Sequence, residues 1–188
     1  ISLASTTGIN VDPKANVTGS VGQDVFNFKF RDEGSSTFSG KTYAVGGDLG
    51  DGMDKYTLDL NVTANNLKTI DLSALKNAEK GTITLGGSSI AINNKSLTVK
   101  GTDGDDTFNV GSTGVLKDGA TIYANEGNDT INFDGTAENG TQIQGNEGYD
   151  TINIKSGAVI DNSSVYGDDV NENSIFDAGN EINIDGTV

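Results

Sequence analysis

GTDGDDTFNV, residues 101–110, crowds Asp103, Asp105 and Asp106 and two glycines into a tight turn, then alternates apolar and polar residues. The pattern returns as ANEGNDTINF at 124–133 and as GNEGYDTINI at 145–154. In a nine-residue frame the sixth place holds Asp106, Asp129 and Asp150, spaced 23 and 21 residues apart, and each continues as Asp-Thr-apolar-Asn. Side chains alternate faces along a strand, so Phe108/Val110, Ile131/Phe133 and Ile152/Ile154 face one way. Thr107/Asn109, Thr130/Asn132 and Thr151/Asn153 then face the other.

The segment ahead of each turn repeats too. LTVKG (97–101), ATIYA (120–124), TQIQG (141–145) and SSVYG (163–167) read as short strands with Val99, Ile122, Ile143 and Val165 in register. Strand, acidic turn, strand and second turn make one coil of a solenoid. One coil cannot bury its few apolar residues alone, whereas stacked coils share a continuous narrow core. The pattern predicts an all-β, right-handed parallel β-solenoid with coils of about 21–23 residues and the acidic turns along one edge.

Earlier and later stretches fit the frame less fully. GSVGQDVFN (19–27) and LGDGMDKYT (49–57) put Asp24 and Asp54 at the sixth place, and their pairs Phe26/Phe28 and Tyr56/Leu58 repeat the spacing of Phe108/Val110. GDDVNENSI (167–175) is a degraded copy, with Asp168 at the second place and Glu172 at the sixth. Between 58 and 100, YTLDLNV, KTIDLSAL, GTITLGG and SIAIN read as strands of further coils whose turns bind no metal. LSALKNAEK (72–80) is helix-compatible but too short and isolated to alter the class, and RDEGSSTFSG (31–40) suggests an irregular N-terminal part.

Charge divides the chain. Of 27 acids and 12 bases, 10 of each fall in residues 1–100, leaving 17 acids against Lys117 and Lys155 in 101–188. The first part is therefore electrically neutral, and the second, continuous with it, carries the whole net charge of −15. Acids recurring at fixed places inside turns point to cations as partners. Nucleic acid and anionic lipid need a basic patch, so neither fits. With no Cys there is no disulfide or thiolate chemistry, and with no His the usual general base and transition-metal ligand are missing. No apolar run is long enough to span a membrane as a helix, and no secretory signal opens the chain, which begins with Ile as a fragment or processed piece would.

The three nonapeptides resemble the glycine-rich repeats of the RTX (repeats-in-toxin) family, clearly over 101–154 and partially at 19–28, 49–58 and 167–175. That resemblance implies a calcium-binding parallel β-roll. Family coils carry the motif on both edges; here the other edge reads GSTGVLKDG, DGTAENG and SGAVIDN, so one row of ions is expected. Calcium takes six to eight oxygens from carboxylates and carbonyls, which suits an irregular carbonyl-lined shell better than magnesium's strict octahedron. The expected metal set is Asp106, Asp129 and Asp150, with Gly101, Asp103, Gly104, Asn125, Gly127, Asn146 and Gly148 shaping the turns between which ions lie. Asp168 and Glu172 extend the row at one end. Asp24 and Asp54 extend it at the other, at separations that imply inserted loops or missing ions. The side chains of Asp103, Asp105, Glu126 and Glu147 stand where the pattern accepts anything, and solvated charge is their first reading.

Three functional classes follow. The resemblance points to type I secretion in an unfolded state and to folding outside the cell. Composition looks most like RTX-type bacterial S-layer proteins, self-assembling into a surface lattice. An adhesin repeat or carbohydrate-binding accessory module is the alternative, with a cell-surface polysaccharide as partner and Tyr43, Tyr123, Tyr149 and Tyr166 as stacking surfaces, although ordinary packing accounts for Tyr123 and Tyr166. Within that class the Thr-x-Asn ladder raises ice binding, against which a hydrogen-bonded polar ladder is preferred. An enzyme is disfavoured, since no paired-carboxylate cleft or general base can be placed.

Overall fold

Short β-branched runs broken by glycine favour strands, and among the described residues the computed structural model is β-strand and corner throughout. It describes residues 14–19, 25–30, 42–50, 54–60, 69–85, 92–167 and 181–184. Sheet A stacks β1 (Lys14–Thr18), β3 (Thr42–Asp48), β5 (Thr69–Lys76), β8 (Thr98–Lys100), β11 (Thr121–Glu126), β14 (Gln142–Glu147) and β17 (Ser164–Tyr166). Sheet B stacks β2 (Val25–Phe30), β4 (Lys55–Leu60), β6 (Lys80–Leu85), β9 (Asp105–Val110), β12 (Thr130–Phe133), β15 (Thr151–Ile154) and β18 (Glu181–Ile184). Sheet C holds β7 (Ile92–Lys95), β10 (Gly114–Lys117), β13 (Thr136–Glu138) and β16 (Val159–Asp161).

Among the described residues every strand pairing is parallel, and the chain visits the sheets in turn, which makes the fold a right-handed parallel β-solenoid. Sheets A and B cross residue 100 without a break, since β5 pairs with β8 and β6 with β9. The neutral and acidic parts are thus continuous.

The core is a set of columns running along the axis. Ile70, Val99, Ile122 and Ile143 align from sheet A. Leu58, Ile83, Phe108, Ile131 and Ile152 align from sheet B, beside Leu85, Val110, Phe133 and Ile154. All are buried. Each such side chain contributes about 1.5–3 kcal/mol by leaving water, and only coil-on-coil stacking removes it from water on both sides. Outward from sheet B, Asn132 donates to Asn109 Oδ1 and Asn153 donates to Asn132 Oδ1, both at 3.0 Å. The Asn row of the Thr-x-Asn repeats therefore forms a hydrogen-bonded polar ladder, as preferred on sequence grounds.

Three expectations change. The motif-free edge is not a plain turn but contains β10, β13 and β16, so these coils have three sides. Leu116 and Ala137 supply its inward positions, and their single apolar side chains per strand are why the sequence pattern hid it. The helix-compatible segment 72–80 is the end of β5, a corner, and the start of β6, because Leu72 and Leu75 turn into the core beside the sheet A column. Finally, sheet register places Tyr56, not Asp54, level with Asp106: Phe26 pairs with Tyr56, Tyr56 with Gly81, and Gly81 with Asp106. The apolar spacing that aligned Tyr56/Leu58 with Phe108/Val110 was two residues out. RDEGSSTFSG lies outside the described residues.

Candidate functional site

The corner from sheet A to sheet B has a fixed length where the acidic repeats occur. Lys100, Tyr123 and Gln144 pair across sheet A, and Thr107, Thr130 and Thr151 pair across sheet B. Six residues span each gap: 101–106, 124–129 and 145–150. One coil earlier ten residues, 72–81, cover the equivalent distance. Equal corners let equivalent atoms stack at the strand spacing of about 4.8 Å.

Asp106, Asp129 and Asp150 end these corners and are buried to 1% exposure or less. They form a ladder. The Asp106 N–H donates to Asp129 Oδ1 at 2.7 Å, and the Asp129 N–H donates to Asp150 Oδ1 at 2.8 Å. The Asp129 and Asp150 carboxylates thus each close the backbone of the coil before, whereas Asp106 accepts from Thr102 of its own corner. Asp129 Oδ2 and Asn146 Oδ1 are buried without a hydrogen-bond partner.

Backbone shape at the corner follows residue type. Asn125 and Asn146 hold left-handed backbones, with φ of 82° and 78°, which Asn tolerates better than most residues. Asn125 Nδ2 then donates to Gly101 O of the coil before, at 2.7 Å. Gly127 and Gly148 follow at φ of 117° and 126°, and a Cβ on Gly148 would run into the Gly127 carbonyl. At Gly145 a Cβ would occupy the space between Asp150 Oδ2 and Gly167 O, and at Gly101 the space between Asp106 Oδ2 and Ala124 O. Carboxylate and carbonyl oxygens thus meet where Gly101 and Gly145 leave room for them, whereas the Asp129 corner carries Ala124 at that place.

A second ladder runs outside the first and was not legible as such. Asp105 Oδ1 accepts the Asn128 N–H at 2.9 Å, and Asn128 Oδ1 accepts the Tyr149 N–H at 3.1 Å. Asp105 is therefore more than solvated charge; recurrence of side-chain acceptors at the fifth place was the available signal. Asp103, Glu126 and Glu147 stand exposed, as read for them.

Burial governs the electrostatics. Loss of water pushes the Asp129 carboxyl up to about 9, with the charges of Asp106 and Asp150 adding to the rise and the Asp106 N–H opposing it. Burial likewise raises Asp106, to about 6, held back chiefly by the Thr102 N–H. Without a cation, Asp129 is driven to take a proton at neutral pH. The donor set suits calcium: buried carboxylates, an unpartnered Asp129 oxygen, and the carbonyls of the corners. Among the described residues no three carboxylates converge on one point, so an ion here would draw much of its shell from backbone oxygens.

No family model, curated protein or solved structure matches the chain.

Of the expected set, the structure brings together the corners of Gly101, Asp103, Gly104 and Asp106, of Asn125, Gly127 and Asp129, and of Asn146, Gly148 and Asp150. Asp54 is buried but stands level with Gly104, two places before the aspartate column, because Tyr56 occupies the level of Asp106. Asp24, Asp168 and Glu172 lie outside the described residues.

Proposed function

We propose that this chain is a calcium-dependent extracellular structural module of the RTX type, a segment of a secreted bacterial surface-layer protein that folds and self-associates on binding calcium. The observation that carries the reading is the buried aspartate ladder, with an Asp129 oxygen that no protein group satisfies. Stacked carboxylates in a narrow core repel one another, and a divalent cation between corners supplies the missing attraction. Weak extracellular sites bind calcium in the range of about 0.1–1 mM, which suits a chain that stays unfolded until it leaves the cell.

Support for self-association comes from the last described coil. Ile182 and Ile184 continue the core columns of Ile152 and Ile154, yet are 44% and 53% exposed. A further coil stacked there would bury them. The reading is structural rather than catalytic.

The test is far-ultraviolet circular dichroism and light scattering after size-exclusion chromatography, with calcium and with excess chelator. Strand signal and oligomer mass should both fall in chelator. Unchanged strand content would sink the calcium reading, and a calcium-bound monomer would remove the lattice.

A second reading, a saccharide-binding module, is favoured by Tyr123 and Tyr166, which flank Gln144 in register on the outer face of sheet A. Two rings set two coils apart on one face of a sheet can stack against sugar faces. A monomer retained on polysaccharide would select it.

A further inference from the structure

The three aspartates are not equivalent, and the difference lies in Thr102 and Tyr56. Thr102 occupies the corner place that Asn125 and Asn146 hold in the next two coils. Those asparagines have left-handed backbones; Thr102, β-branched, does not. Its N–H donates to Asp106 Oδ2 at 2.7 Å, and its hydroxyl lies 3.1 Å and 3.3 Å from the two carboxylate oxygens. Asp129, by contrast, has one oxygen that meets no donor.

On the other side, Gly81 sits level with both Tyr56 and Asp106 in sheet B. A Cβ there would collide with the Tyr56 ring and with Asp106 Oδ1 at once, so ring and carboxylate abut across the glycine. The Tyr56 hydroxyl is buried beside Asp106 and Thr102, although no hydrogen bond of good geometry closes. The space next to Asp106 that faces the earlier coils is filled by protein.

We infer that Asp106 is not a calcium ligand: Thr102 and Tyr56 take the place of an ion there, the ion row begins at Asp129, and the Tyr56–Thr102–Asp106 cluster is the seam where a metal-independent stack hands over to calcium-dependent coils. This deepens the calcium reading above and rests on it. Strands up to β9 close on apolar columns and on the seam. Strands β11 and β12 stack around Asp129, whose second oxygen lacks such a closure. Folding then spreads from the seam towards the C-terminal coils as calcium rises.

Native mass spectrometry and calorimetric titration with calcium test this on the wild-type chain and on Asp106→Asn, Asp129→Asn and Asp150→Asn. Asp106→Asn keeps the wild-type number of ions, with affinity within about twofold, whereas Asp129→Asn and Asp150→Asn each lose one. Loss of an ion in Asp106→Asn overturns the inference while leaving the calcium reading intact. A wild-type chain that binds no calcium overturns both. Should Asp106→Asn fail to fold, terbium replaces calcium and its tyrosine-sensitised emission is compared in wild type and Tyr56→Phe. Unchanged emission supports the seam, because an ion at Asp106 would abut the Tyr56 ring; loss of more than half overturns it. Hydrogen exchange in chelator should leave β6 and β9 protected at least tenfold more than β14. Equal protection there also overturns the inference.

Discussion

The backbone N–H of Asp106 meets the Asp129 carboxylate at 2.7 Å across 23 residues of sequence, and the Asp129 N–H meets Asp150 in the same way. The Asp129 carboxylate in this ladder has two duties. One oxygen closes the backbone of the preceding coil, and the other faces the corner interior.

Asp129→Asn separates the two duties. The amide oxygen can still accept the Asp106 N–H, but the buried charge is gone. In chelator the variant should melt higher than wild type, because an amide is neutral in the buried corner without first taking up a proton. In calcium at about 100 times the dissociation constant it should melt lower, having lost about 2.7 kcal/mol of linked binding. Thermal melts in both buffers check the reversal of sign.

The pH dependence of the metal-free chain follows from the same group. Asp129 is raised from its ordinary value of 3.8 to about 9 in the fold. A raised folded value means stability is fully present below the unfolded value and is lost as pH rises towards the folded one, at up to about 1.4 kcal/mol per pH unit. Asp106, raised to about 6, acts in the same direction over the lower part of that window. In chelator, melting temperature should therefore fall from pH 4.5 to pH 8, and saturating calcium should flatten the curve. A metal-free melt that rises with pH would contradict the burial of these groups.

Gly148→Ala places a Cβ on the Gly127 carbonyl and forces Ala to a φ of 126°. Strain of this kind costs about 1–3 kcal/mol before any shift of the neighbouring corner. Urea denaturation in calcium measures it. Gly140→Ala is the control, since its Cβ would meet nothing, although its φ of 80° carries part of the same backbone cost.

Asn132 holds the middle of the outer amide ladder, donating to Asn109 and accepting from Asn153. Asn132→Ala removes both bonds and should cost about 1–2 kcal/mol. Asn132→Asp should cost more, because it loses the donor and sets a carboxylate against the Asn109 oxygen. Denaturant midpoints of the two variants rank them.

Much of the solenoid could be read from residue spacing. Period-two alternation placed Phe108/Val110, Ile131/Phe133 and Ile152/Ile154 in the core, and the coil length of 21–23 residues gave their stacking order. What escaped was information that a single coil does not hold. In sheet C, β10, β13 and β16 each turn one apolar side chain inward (Leu116, Ala137 and Ile160), too little for a period to register. The level of Tyr56 was misjudged because apolar spacing cannot tell a two-residue offset from true register; only the pairing of β4 with β6 and β6 with β9 fixes it. At the corner, aspartate and glycine positions were evident from composition, whereas the unlike roles of Thr102 and Asn125 depend on backbone handedness.

The solenoid's corners also differ in how much length they permit. From sheet A to sheet B the three acidic coils each use six residues, whereas from sheet B to sheet C the gap between paired positions is four residues (111–114), then two (134–135), then four again (155–158). The first corner is gauged like a gear tooth, since its carboxylate must reach the backbone one coil away. The second is slack, and passing loops of unlike length leaves the sheets on either side in register. Ser112 and Ser156, exposed on that slack corner, mark where foreign peptide can be spliced into this protein without disturbing its pitch.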